Sequence, residues 1–340
     1  MLRELLEKRN LPPLLERSEM LGILQREIYG ILPPAPEKLA FTCRKTDILK
    51  YCAGKANLEH VSVQCTIGGK EFEFPLLVNT PSGKGPHPVI ISLNFRPENP
   101  DRYMPTEEII DSGFAVISLC YTDVTSDDGD FTNGLAGVLF DKGRREPDSP
   151  GKIAMWAWAA QRALDYAYTR PGDFDLERTA VCGHSRLGKT ALFAAATDER
   201  FRVGYSNDSG CSGAALARGK TGESVADIVE RFPFWFCENY YKYAGNEESM
   251  PFDQHYLIAC IAPRRALIGS AAEDAWADPV SEYLGCLAAA PAFGRGFVCP
   301  DRLPEIDDIF FEGDIGYHMR AGLHYFTRTD WQRLMRFCSE

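Results

Sequence analysis

Residues 178–196 read RTAVCGHSRLGKTALFAAA, a short apolar run that passes through one tight turn into an alanine-rich helical stretch. A strand joined to a helix this directly has little choice of surroundings. Its apolar run must be buried in a sheet, and the helix must fold back over one face of that sheet. Other segments repeat the alternation. HPVIISLNF (87–95) and FAVISLCY (114–121) are continuous apolar runs, as expected of strands covered on both faces, and KIAMWAWAAQRALDYAYTR (152–170) has apolar residues every three to four positions. FRVGYS (201–206) and RRALIGSA (264–271) are further strand candidates, Ser281–Ala290 is a helix, IDDIFFEG (306–313) a last strand and TDWQRLMRFC (329–338) a closing helix. Ahead of them VSVQCTI and EFEFPLLV flank Gly68-Gly69, the pattern of an antiparallel hairpin. The expectation is an α/β fold: a mostly parallel central sheet, an N-terminal antiparallel hairpin and helices on both faces. Leu2, Leu5 and Leu6, and then Leu21 and Leu24, stand at helical spacing, broken by Pro12-Pro13 and Pro33-Pro34, which predicts a helical N-terminal extension over 1–40. No Pro/Gly/Ser-rich linker divides the rest, so 1–340 is read as one domain.

Charge narrows the function. Basic residues number 37 and acidic ones 48, a formal net charge of −11. Nucleic-acid binding calls for clustered Lys and Arg, and the same deficit disfavours docking on an anionic membrane. No window of 18 apolar residues exists, and MLRELLEKRNLPPLLER lacks the apolar core of a secretory signal, so a cytoplasmic location is expected. The eleven cysteines are odd in number and mostly lie within apolar runs, which suits buried free thiols better than a disulfide framework or a zinc site.

The turn at 183–190 admits two chemistries. Gly183-His184-Ser185 followed by Gly188 resembles a nucleophile elbow, in which small flanking residues let strand and helix approach while the helix N-terminus favours a developing oxyanion. It departs from G-x-S-x-G, because Leu187 holds the second glycine position and Gly188 follows one residue later. The same residues also fit G-x-x-x-x-G-K-[ST] through Gly183, Gly188, Lys189 and Thr190. Four strand candidates before the turn and no downstream magnesium-binding Asp weigh against a phosphate loop. They do not remove it.

Beyond this turn the chain resembles the glucuronoyl esterases, carbohydrate esterase family fifteen. GHSRLGK (183–189) is similar to the family's nucleophile motif, and Trp156–Tyr166 to the helix before it. SNDSGCSGAALARGKTGE (206–223), FPFWFCENYYKY (232–243), PFDQHYLIACIAPRRAL (251–267), EDAWADP (273–279) and YHMRAGLHYFTRTDW (317–331) resemble its successive blocks, in order, from about Phe95 to Trp331. The resemblance implies an α/β-hydrolase fold, a Ser–acid–His triad, no metal or other cofactor, and a small-molecule or oligosaccharide ester as partner. The implied activity is a serine-dependent carboxylic-ester hydrolase on a glucuronoyl ester or an acetylated sugar, through an acyl-enzyme. A carbohydrate-binding pseudoenzyme and a serine peptidase of the same fold are the competing readings.

Ser185 is then the nucleophile. The triad order in this fold is Ser, acid, His, so His60, His87 and His184 come too early, and His255 has a structural reading at the start of a helix. Of His318 and His324, the resemblance selects His324 in GLHYFT, while His318 suits packing or substrate lining. Two acids compete. Asp208 stands where well-studied members have Glu and is one methylene shorter; Asp274, after the seventh strand of the fold, is preferred. By the same likeness Arg186 stabilises the oxyanion, Lys189 and Trp276 contact the sugar, and Glu223 is a weaker candidate for binding hydroxyls. Trp235 and Tyr240 read as core.

Overall fold

The computed structural model describes residues 1–46, 50–98, 101 and 103–340. Ten strands form one sheet: β1 (Lys38–Thr46), β2 (Ala56–Ile67), β3 (Lys70–Pro81), β4 (His87–Asn94), β5 (Ala115–Cys120), β6 (Phe174–His184), β7 (Val203–Asn207), β8 (Arg265–Ala271), β9 (Ile309–Phe310) and β10 (Ile315–Arg320). Their spatial order is β1-β2-β3-β5-β4-β6-β7-β8-β10-β9. The six strands from β5 to β10 in that order run parallel, while β1, β2 and β3 at one edge and β9 at the other are antiparallel.

The glycine pair makes the expected hairpin. Gly68 and Gly69 have φ of 58° and 73°, so both central residues are left-handed, and Ile67 pairs with Lys70 across the turn. In the parallel part alternate residues of one strand enter opposite cores. Val89 and Ile91 of β4 pack with the helices Lys152–Tyr168 and Arg186–Thr197, whereas Ile90 packs with Phe114, Trp331 and Leu334 on the other face. Burial on both faces is why these strands are continuous apolar runs.

Two expectations need correction. IDDIFFEG is not the last strand: only Ile309–Phe310 pairs there, and the final parallel strand is β10, alongside β8. Around Tyr317 and His318 the sequence reads as strand or strand end, but hydropathy understates this strand because His318 and Arg320 are polar, yet both are buried and satisfied by partners from elsewhere in the chain. The helix Lys152–Tyr168 is buried along nearly all its length rather than on one face, since the N-terminal segment lies over it and Trp158 Nε1 donates to Pro34 O at 2.8 Å. That segment holds the helices Leu2–Glu7 and Arg17–Leu24, and the edge strand β1, largely exposed and charged, follows without an apolar signal. Among the described residues no helix is long and apolar enough to cross a membrane.

The parallel strands present their carboxyl ends to one edge of the sheet, and strand order reverses at β4, between β5 and β6. Clefts form at such a reversal. Ser185, Asp208, Asp274 and His324 all lie just beyond the ends of β6, β7, β8 and β10.

Candidate active site

Ser185 sits between β6 and the helix Arg186–Thr197 with φ 57° and ψ −126°, a conformation costly for a residue with a side chain. The turn closes only because of its glycines. A Cβ on Gly183 would lie 2.1 Å from Leu187 O, and one on Gly188 would meet Ser206 Oγ at 3.0 Å and Ser209 Cβ at 3.1 Å. The displaced second glycine therefore lets the helix pass the end of β7, as the first lets the turn fold on itself. This closure also decides against a phosphate loop. Ser185 N is bonded to Asn207 O at 2.9 Å, Gly188 N and Lys189 N to Ser185 O at 2.9 and 3.1 Å, and Lys189 Nζ reaches Ser209 O. Three of the amides and the lysine that would cradle a phosphate are thus already engaged.

The loop after β10 carries His324 into the same cleft, where its side chain is 44% exposed. His324 Nδ1 donates to Asp274 Oδ2 at 2.6 Å, leaving Nε2 free of that acid. Burial pushes the Asp274 carboxyl up, but the hydrogen bond and charge of His324, with Ala277 N–H, outweigh it and hold the group below its usual range. Asp274 therefore stays ionised as the imidazole gains a proton. No hydrogen bond joins Ser185 Oγ to His324 among the described residues; such contacts commonly tighten with substrate bound.

Asp208 is committed elsewhere. Its Oδ1 accepts Ala271 N–H at 2.7 Å and its Oδ2 accepts Arg320 Nη2 at 3.0 Å. Asp208, Asp274 and His324 form one possible metal-holding group among the described residues, with a ligand atom from each within 4.8 Å of the others. Their hydrogen bonds describe an oriented imidazole with a neighbouring ion pair, a donor set already used by protein groups. His318 is wholly buried, between Tyr205 Oη at 3.0 Å and Arg333 Nη1 at 3.2 Å, and does not reach the cleft. His184, whose ring centre is 4.3 Å from that of His324, is held neutral: burial and the His324 charge push its pKa down to about 3.

A residue the sequence reading missed organises the other side of Ser185. Asp127 Oδ2 accepts from Arg186 Nη1 and from Tyr121 Oη at 2.9 Å, and Asp127 Oδ1 accepts from Trp235 Nε1 at 2.7 Å. The Arg186 guanidinium also lies 4.6 Å from the Trp235 ring centre, a cation–π contact that fixes its plane. Trp235, read as core, is indeed buried but lines the cleft as well. Nothing in DVTSDDGDF distinguishes Asp127 from its acidic neighbours. Only the folded loop does. Asp127→Ala is expected to lower kcat about 10- to 100-fold by releasing Arg186, short of the 10²–10³ lost with an oxyanion donor itself. The check is a double-mutant cycle, in which Asp127→Ala should add little once Arg186 is alanine.

The cleft, about 200 Å³, continues from Ser185 past Lys189, Glu223 and Trp276. Lys189 is 3% exposed and its ammonium is pushed down by burial, against the pull of Glu223. Trp276 is 45% exposed with Arg231 5.1 Å from its ring centre, and Glu223 N is tied to Trp276 O at 3.0 Å. The cleft thus joins a flat aromatic face to charged groups of both signs.

The sequence profile described as "Glucuronyl esterase, fungi" matches residues 63–294. The chain is 41% identical to Carbohydrate esterase MZ0003 from an unknown prokaryotic organism, over 94% of this chain and 83% of that protein. It belongs to the glucuronoyl esterase family. A more distant relative is the 4-O-methyl-glucuronoyl methylesterase of Podospora anserina, 30% identical over 81% of this chain and 54% of that protein. Among solved structures, the Glucuronoyl Esterase from Solibacter usitatus superposes with a TM-score of 0.86 at 32% identity, covering 95% of this chain and 91% of that one. A promiscuous CE15 esterase from a marine bacterial metagenome gives 0.85 at 32% identity, covering 95% and 90%. The expected α/β-hydrolase architecture is the one found.

Proposed function

We propose that this member of the glucuronoyl esterase family is a serine esterase for a uronic-acid ester, with Ser185, His324 and Asp274 as its triad. The observation that carries the reading is the 2.6 Å hydrogen bond from His324 Nδ1 to Asp274 in a cleft shared with the strained Ser185. Ser185 Oγ attacks the ester carbonyl as His324 Nε2 takes its proton, and Asp274 holds the imidazole in the tautomer that can do so. The negative charge that forms on the carbonyl oxygen faces Arg186 and the start of the helix Arg186–Thr197. His324 then returns the proton to the departing alcohol, and water releases the acid from Ser185 by the same route reversed.

Lys189, Glu223 and Trp276 support a sugar on the acyl side, because an indole face packs on a pyranose while the two charged groups meet its hydroxyls. The relatives named as methylesterases of 4-O-methyl-glucuronate favour a uronoyl over an acetyl group in that place. Steady-state rates on methyl glucuronate and on an acetylated xylo-oligosaccharide test this directly. The glucuronate ester should have the higher kcat/KM; a higher value for the acetylated sugar would put the sugar on the alcohol side instead. Trp276→Ala should raise KM for the glucuronate ester about tenfold, the loss of roughly 1.4 kcal/mol of binding. The same change should leave p-nitrophenyl acetate hydrolysis close to wild type, since that substrate has no sugar to lose.

A further inference from the structure

We propose that Arg320 is a positioning residue that fixes the loop carrying His324, with Asp208 as its buried counter-ion. Arg320 is the last residue of β10 and is 5% exposed. A guanidinium has five N–H donors, and all five are used here. Nη1 donates to Ala321 O at 3.1 Å and Leu323 O at 3.0 Å, and Nη2 to Tyr325 O and to Asp208 Oδ2 at 3.0 Å. Nε donates to Asp330 Oδ2 at 2.8 Å. The loop therefore wraps around one planar group, and the carbonyls on either side of His324 are both held by it.

The side chains anchor this stretch at its far end and at His324 itself: Phe326 stacks on Trp331 at 4.7 Å and His324 is tied to Asp274, whereas Leu323 and Tyr325, on either side of His324, are 62% and 51% exposed. Among the described residues the remaining hydrogen bonds of the backbone over 321–326 are the two that tie Gly322 to Glu273. The Arg320 end is rigid by contrast. Asp208 and Asp330 are fully buried at their side chains, Asp208 is pinned by Ala271 N–H, and Asp330 caps the closing helix through Thr327. Asp208 thus serves the base through Arg320 rather than by touching the imidazole.

The inference rests on His324 being the base. Arg320→Lys keeps the charge between the two carboxylates but cannot span three carbonyls, so it should fold where Arg320→Met, which strands two buried charges, need not. Two readouts are taken on the lysine variant. Hydrogen exchange over 321–326 should speed up at least tenfold while exchange in β7 and β8 stays as in the wild type. The kcat for p-nitrophenyl acetate should fall about 10²-fold, the loss that a displacement near 1 Å can cause, with KM within about threefold. Unchanged exchange would overturn the anchor. Faster exchange with unaltered kcat would overturn the positioning role, since Asp274 alone would then hold His324 well enough. Loss of activity in His324→Ala separately tests the base. Asp208→Asn should lower kcat less in the Arg320→Lys background than alone; an equal loss in both would remove Asp208 from this role.

Discussion

Ser185→Ala is expected to lower kcat about 10⁶-fold on any ester the protein hydrolyses, with the melting temperature unchanged. Both halves follow from the elbow. Its φ of 57° is imposed by Gly183, Gly188 and the Asn207 carbonyl, so serine and alanine carry the same backbone strain. The hydroxyl lines an open cleft and caps no backbone amide of the following helix, so removing it creates no cavity and orphans no partner. Retention of a tenth of wild-type kcat would reassign the nucleophile. His324→Ala should be nearly as severe, because triad members act as a unit. His318→Ala makes the contrast: it empties a site between Tyr205 and Arg333, so it should cost stability while the folded fraction stays active.

Asp274→Asn should lower kcat by about 10⁴, since an amide facing Nδ1 favours the tautomer that cannot accept the serine proton. The carboxylate at risk is the one 2.6 Å from His324 and held ionised by it. Asp208→Asn should behave quite differently. Each Asp208 oxygen accepts from a donor, Ala271 N–H or Arg320, so either orientation of an amide sets N–H against N–H. Breaking a buried charged pair costs on the order of 3–5 kcal/mol in stability, and the melting temperature should drop. A carboxylate charge within 4.8 Å of the imidazole is worth about 3.5 kcal/mol at an effective dielectric near 20, before the opposing charge of Arg320 is counted. The direct loss of rate should therefore stay below about 10²–10³-fold. Parallel measurements of kcat and melting temperature on both variants decide the matter. Equal losses of kcat would mean that the two acids share the role.

The two candidate acids also mark how far sequence alone reaches. Strand and helix periods, the Gly68-Gly69 turn and the elbow glycines are local, so the α/β alternation and the place of Ser185 could be read directly. The choice between Asp274 and Asp208 depends on where two loops, 66 residues apart in the chain, stand relative to a third. Preference for Asp274 came from family likeness, and its contact with His324 is a matter of how β7, β8 and β10 lie side by side.

What the sequence determined by itself was the class of fold and the tight strand–turn–helix at Gly183–Gly188, because backbone sterics and apolar periodicity act over a few residues. What only the tertiary structure decided was the wiring of charge. Tyr317-His318 reads as strand or strand end, but its place as the final parallel strand does not show, because His318 and Arg320 look solvated until Tyr205, Asp208 and Asp330 arrive to satisfy them. Asp127 could not be told from Asp128 or Asp130 until the loop placed it against Arg186, Tyr121 and Trp235. A buried charge is tolerable only with partners in place, and those partners are distant in sequence. Hydropathy and spacing carry no record of them.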